Sequence, residues 1–281
     1  MQARLTSIVV HPFKGAAGIA VGSADVGIAG LSTGGVTDRE WMAVDRNGRF
    51  VTQREFPRLA LVHPAIDDGR LVLSAQGLAP LALAADASAS APAREVTVWH
   101  SQGRGFDAGD EAADWLSSAI ASDVRIVRFD PALPRYSSRD YAGDSGAQVR
   151  FADGYPVLVV GQASLDHLNE RLAARGNPAV AMNRFRPNLV LDGLEPHDED
   201  ALASIEIDGV VLKPVKPCTR CQVTTVDQAS ANTGLEPLRT LATYRRDDRL
   251  AGVTFGMNAI VIAGAGRRIA VGSTAACAFD F

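Results

Sequence analysis

Cysteine is scarce in this chain: there are three among 281 residues. An odd number of thiols makes no disulfide framework, and a reducing compartment is the simpler setting. Long apolar runs are also missing. Nothing approaches the roughly 20 consecutive apolar residues of a membrane helix, and the apolar run within residues 1–12 is too short for a signal peptide. The expected location is cytoplasmic, with no membrane partner. A basic excess is absent as well. Against 28 Lys and Arg stand 32 Asp and Glu, for a net charge of −4, so no global positive field is available to hold nucleic acid. The glycine-rich residues 27–35 lack the G-x-G-x-x-G spacing and strand–helix setting of a dinucleotide site. What remains is ordinary for a globular chain, with 47% hydrophobic and 21% charged residues and length for one large domain or two smaller ones.

Short β-branched segments punctuated by Gly, Pro and Asn dominate the pattern. Strands are expected at residues 5–10, 59–62, 71–74, 96–99, 124–129, 157–160 and 189–191. Asn47-Gly48 marks a hairpin turn. Residues 205–214 read as a hairpin, and Gly272 falls in a last one. Helical spacing of Ala113, Trp115, Leu116 and Ile120 predicts a helix over residues 110–120. A second starts near Gln162, with Ser164 as N-cap and His167 exposed. Residues 195–200 read as an acidic surface turn, and residues 84–93 as a mobile loop. The long aperiodic stretch 130–148 suggests a lid or substrate wall, and a domain boundary is placed near residue 122. The fold class is mainly β (α+β), with few helices.

The thiols concentrate in one segment, Lys216-Pro217-Cys218-Thr219-Arg220-Cys221-Gln222-Val223-Thr224-Thr225-Val226-Asp227, with Cys277 far behind. Taken alone, Cys-x-x-Cys reads as half a zinc site, a redox dithiol or two inert thiols. No second pair is present to complete a zinc site. A redox dithiol normally opens a helix, where the dipole lowers a thiol pKa, whereas the β-branched residues 223–226 predict a strand.

Pro-Cys-Thr-Arg-Cys-x-x-Thr-Thr-Val-Asp resembles the cysteine motif of MOSC-domain proteins, relatives of bacterial N-hydroxylated-base reductases and of the mitochondrial amidoxime-reducing component. Further similar elements run in family order from Lys14 to Gly272: Pro12-Phe13-Lys14-Gly15, Asp38-Arg39-Glu40-Trp41, Thr52-Gln53-Arg54, Asp153-Gly154-Tyr155-Pro156, Phe185-Arg186-Pro187-Asn188, Tyr244-Arg245-Arg246 and Phe255-Gly256-Met257-Asn258. The resemblance departs at Gly154 and Tyr155, which replace a hydroxyl pair seen in some relatives, and at Ser273, which stands where the family closes on Asp. It implies an N-terminal β domain (1–122) on a C-terminal MOSC β-barrel domain (123–281), with a molybdenum cofactor (Mo-molybdopterin) between them. Cys221 would ligate the metal. Lys14, Gly15, Arg39, Gly154, Tyr155, Arg186, Thr219, Arg220 and Asn258 would contact the pterin, with Asn188 orienting. Arg54 would lie on the substrate side. The chemistry agrees, because soft thiolates suit such a metal and Arg220 favours both a thiolate and an anionic phosphate. Asp227 is the candidate proton donor, although on its own residues it reads equally as a turn aspartate. The implied activity is reduction of N-hydroxylated compounds such as hydroxylaminopurines and amidoximes. Electrons would come from an external flavin or iron–sulfur reductase. The alternatives are a non-catalytic cofactor carrier or sulfur-carrier MOSC protein, and a dithiol or weak zinc protein without pterin.

Overall fold

The structure is a computed structural model and describes residues 1–83 and 91–280. Its frame is a closed seven-stranded barrel. The strand Gln2–Val10 pairs antiparallel with Leu189–Asp192 on one side and Thr274–Phe279 on the other. Thr274–Phe279 pairs with Leu202–Ile207, that strand with Val210–Arg220, and Val210–Arg220 with Gly252–Ala263. Val157–Gly161 closes the ring, antiparallel to Gly252–Ala263 and parallel to Leu189–Asp192. Side chains alternate across a strand, so Ala3 and Leu5 point inward. A register shift between Leu5 and Ser7 resets the alternation and turns Ile8 and Val10 inward too. There they meet Val157, Val159, Leu189, Leu191, Ile205 and Leu212.

The second block joins a four-stranded antiparallel sheet (Ala93–Val98, Ser101–Asp107, Arg125–Phe129, Trp41–Val44) to a three-stranded one (His63–Asp67, Arg70–Ser74, Leu81–Leu83). The helix Asp110–Ile120 has the expected bounds. It buries Ala112, Leu116 and Ile120 in a cluster with Leu59, Leu71 and Leu73. Strand pairing crosses the boundary expected near residue 122. Gln2–Val10 is a barrel stave between two C-terminal strands, and Ser23–Gly27 pairs with Arg268–Ala270.

Several local expectations are corrected. Residues 59–61 belong to a 3-10 helix, Pro57–Leu61, with Val62 as its extended C-cap; proline's fixed φ suits the first turn. Residues 223–226 are not a strand. Gln222–Thr225 is a 3-10 turn, closed by the Thr224 and Thr225 hydroxyls, which donate to the carbonyls of Cys221 (3.0 Å) and Gln222 (2.8 Å). Such local bonds compete with a sheet ladder. Ser164 does not cap its helix, which starts at Gln162 with Gly161 at the N-cap. Its buried hydroxyl donates instead to Glu199 Oε2 (2.7 Å). His167 is half-buried, its Nδ1 3.2 Å from His197 Nε2. Within the acidic turn Glu199 is fully buried and Asp200 pairs with Arg245. The stretch 130–148 holds a short strand pair, Arg135–Tyr136 with Gln148–Val149, and the helical turn Arg139–Ala142. Gly272 connects strands of different sheets, because Arg268–Ala270 pairs with Ser23–Gly27 and not with Thr274–Phe279. Of the loop expected at 84–93, residues 84–90 lie outside the described residues; Ala93 already begins a strand.

Candidate active site

One cleft gathers residues from distant parts of the chain. Lys14, Gly15, Arg39, Gly154, Tyr155, Arg186, Thr219, Arg220, Cys221 and Asn258 all line it. Each is a residue expected at the site from the sequence. Lys14 follows the first barrel strand and is held by its own backbone N–H, which donates to the Trp41 carbonyl (2.7 Å). Its ammonium donates to the Phe151 carbonyl (2.8 Å) and to Asp153 Oδ1 (2.5 Å). Burial lowers the Lys14 pKa, and Asp153 opposes the shift.

Arg39 and Arg186 meet through a polar hub. Arg39 pairs with buried Asp38 and donates to Asn188 Oδ1 (3.2 Å) and the Arg186 carbonyl (3.4 Å). Asn188, 1% exposed, donates to the Val9 carbonyl (3.1 Å) and Asp38 Oδ1 (3.0 Å) and accepts from the Leu158 N–H (3.0 Å). Both arginines sit at positive φ, 49° and 55°. Such conformations are uncommon outside glycine and concentrate at functional sites. Burial, then Arg39, pulls the Arg186 pKa down to about 9. Arg220 donates to the Phe255 carbonyl (2.8 Å) and the Phe185 carbonyl (3.0 Å). One nitrogen of each of two guanidiniums, Arg186 Nη2 and Arg220 Nη2, is buried without a partner. Unpaired buried donors beside clustered like charge call for an anion. An anionic pterin cofactor fits this donor set.

The two thiols differ. Cys221 is exposed, and Cys218 is half-buried. Burial pushes the Cys218 thiol pKa up, with Asn258 reaching it by a side-chain hydrogen bond. The chain runs extended through Arg220 into Cys221. Extended geometry places the two Cα atoms roughly 10 Å apart, beyond the ~7 Å that a disulfide spans. A redox dithiol does not fit. Among the described residues no group of three or more His, Cys, Asp or Glu could hold a metal ion by itself.

Asp227 is the residue the structure does not bring to the cleft. It lines a neighbouring groove. Its carboxylate accepts from the Ala229 and Ser230 N–H groups and the Ser230 hydroxyl, and pairs with Arg184 at 2.8 Å. Bonding from Ser230 first holds its pKa below the usual carboxylate value. It caps a turn and faces a groove beside the cleft, away from Cys221. Missed from the sequence were Asp153 as partner of Lys14, the buried Gln53–Gln228 pair (Gln228 Nε2 to Gln53 Oε1, 2.9 Å), and Phe50, Trp99 and Arg184 in the lining. Asp153 and Gln53, each inside a quoted motif, were the ones with a signal.

The fold and cleft define a β-barrel protein with a cationic anion site and an exposed thiol at the end of a barrel strand. The sequence matches the MOSC N-terminal beta barrel domain over residues 2–123 and the MOSC domain over residues 146–275. It is 36% identical over 254 residues to mitochondrial amidoxime-reducing component 1 of Mus musculus, covering 88% of this chain and 73% of that one. Against mitochondrial amidoxime reducing component 2 of Bos taurus the identity is 34%, over 87% and 73%. Against component 1 of Homo sapiens it is 33%, over 85% and 71%. The chain belongs to the MOSC-domain family that includes the mitochondrial amidoxime-reducing components. Among the described residues no helix is long and apolar enough to cross a membrane.

Proposed function

We propose that this protein is a molybdenum-cofactor-dependent reductase of N-hydroxylated compounds, converting N–OH plus two electrons and two protons to N–H and water. The observation that carries the reading is the convergence of Lys14, Arg39, Arg186 and Arg220 on one cleft, with two unpartnered buried guanidinium nitrogens, beside the exposed Cys221 thiol. Relatives named for amidoxime reduction at up to 36% identity support it. When bound, the cofactor supplies a metal able to accept the substrate oxygen and cycle two electrons. Cys221, exposed at the end of its barrel strand, offers the thiolate ligand. Lys14, Arg39 and Arg186 neutralise the anionic part of the pterin, and Asn188 fixes the Arg39 guanidinium. Gly15, Gly154 and Thr219 line the contact surface, and Asn258 orients Cys218. A cytoplasmic location belongs to the same proposal, as does the division into residues 1–122 and 123–281 apart from Gln2–Val10, which is a stave of the C-terminal barrel.

These 281 residues hold three cysteines, too few for a ligand set of four at an iron–sulfur cluster, and no nucleotide fingerprint. The electron source in this proposal is a flavin or iron–sulfur centre outside these residues. Freshly purified protein is tested for molybdenum and pterin fluorescence, and for turnover of benzamidoxime with reduced methyl viologen. Cofactor with turnover is expected. Cofactor without turnover would make the protein a carrier, and absence of both in a cofactor-producing host would overturn the reading. NADPH alone should drive no turnover.

A further inference from the structure

We propose that Trp99, layered with Arg54, is a specificity-determining platform that takes the planar part of the substrate at the mouth of the cleft; this rests on the reductase reading above. Both residues line the cleft. Trp99 is 43% exposed yet held from three sides. The Phe50 ring meets it edge-on at 5.0 Å. The Arg54 guanidinium lies over it at 4.6 Å. Its indole N–H donates to Asp153 Oδ1 (2.9 Å), the same oxygen that accepts from the Lys14 ammonium (2.5 Å).

The backbone adds an independent sign. Trp99 sits between the paired strands Ala93–Val98 and Ser101–Asp107 with φ 57°. Two-residue hairpin turns that need positive φ favour Gly, Asn or Asp. A bulky aromatic there is an outlier, and such outliers persist where the surroundings over-determine them, commonly at ligand sites. Packing against Phe50 and Arg54 and the bond to Asp153 fix the indole, while 43% of it stays exposed beside the cleft. A layered indole and guanidinium presents a flat face that stacks aromatic rings and π-systems. The chemical class selected is therefore planar aromatic N-hydroxylated compounds, such as benzamidoxime or hydroxylaminopurine, over small aliphatic ones such as acetamidoxime. The Asp153 bridge ties this wall to Lys14, which the proposed function assigns to the cofactor anion, so the platform is set in register with the bound group.

The test uses holoprotein in wild-type, Trp99→Leu, Trp99→Phe and Arg54→Ala forms. Without an electron donor no turnover occurs, so affinities for benzamidoxime and acetamidoxime are read directly by ligand-observed NMR. Trp99→Leu should weaken benzamidoxime roughly 3- to 10-fold, as expected for loss of an aromatic pair, with acetamidoxime unmoved. Trp99→Phe should restore most of the difference, because it keeps a π face. With reduced methyl viologen the loss should fall on the KM for benzamidoxime more than on kcat. Equal weakening of both compounds would mark Trp99 as merely structural and overturn the proposal. So would an unchanged preference, or a Trp99→Phe form that behaves like Trp99→Leu. Should Trp99→Leu fail to fold, Arg54→Ala decides: it should lower the same preference, and an unchanged preference refutes the platform. If the binding pattern holds but no form turns over, the reductase reading fails and the platform stands.

Discussion

Replacing Asn188 with Leu, similar in shape and without polar atoms, tests the hub that joins the two halves of the cleft. The side chain is 1% exposed. It satisfies the Leu158 N–H at 3.0 Å and the Val9 carbonyl at 3.1 Å, and it links Asp38 Oδ1 to the Arg39 guanidinium. Asp38 keeps the His11 N–H at 2.7 Å and Arg39 keeps Asp38, so the charged pair survives. Two backbone groups lose their side-chain partner. At about 1–3 kcal/mol for each buried polar group left unpaired, the substitution should cost about 2–6 kcal/mol. For a chain of this size each kcal/mol lowers Tm by about 2–4 °C, so a drop on the order of 10 °C is expected. Urea denaturation followed by far-UV circular dichroism, with the m-value as a check on cooperativity, gives the loss directly. A loss under about 1 kcal/mol would show that water replaces the amide and would refute the hub.

Further outcomes follow from particular residues. Cys221→Ala should abolish benzamidoxime turnover in the loaded protein while Cys218→Ala retains most of it; the reverse pattern in the same assay would reassign the metal ligand. Burial, Arg245, His167 and Arg171 hold the His197 pKa near about 4 against an unfolded value of 6.5. The unfolded chain therefore binds the extra proton between those values, and stability should fall as pH drops from about 6.5 through 4. His197→Gln should flatten that part of the stability–pH curve. Gly256, at φ 73°, has room for no side chain: a Cβ there would lie 2.6 Å from Val160 Cγ2 and 2.8 Å from the Val159 carbonyl. Gly256→Ala should destabilise the barrel by roughly 1–3 kcal/mol or more, and a thermal shift within 1 °C would contradict the close approach.

The sequence by itself determined the β class, the 110–120 helix with its bounds and the 205–214 hairpin, because alternation and turn residues are local properties that survive without a structure. The residues that meet in the cleft were legible only through the resemblance to MOSC-domain proteins. The sequence failed where local signals compete. Val223-Thr224-Thr225-Val226 has strand composition, but the threonine hydroxyls bond back to carbonyls and close a turn. Acidic 195–200 has surface composition, yet Glu199 is buried against Ser164, a partner 35 residues away. Only the tertiary structure decided that Gln2–Val10 is a stave of the C-terminal barrel, that Asp227 faces another groove, and that Trp99 reaches Asp153. Each of these depends on which distant strands pair, and that pairing is set by burying the whole barrel interior at once, which no local stretch of sequence encodes.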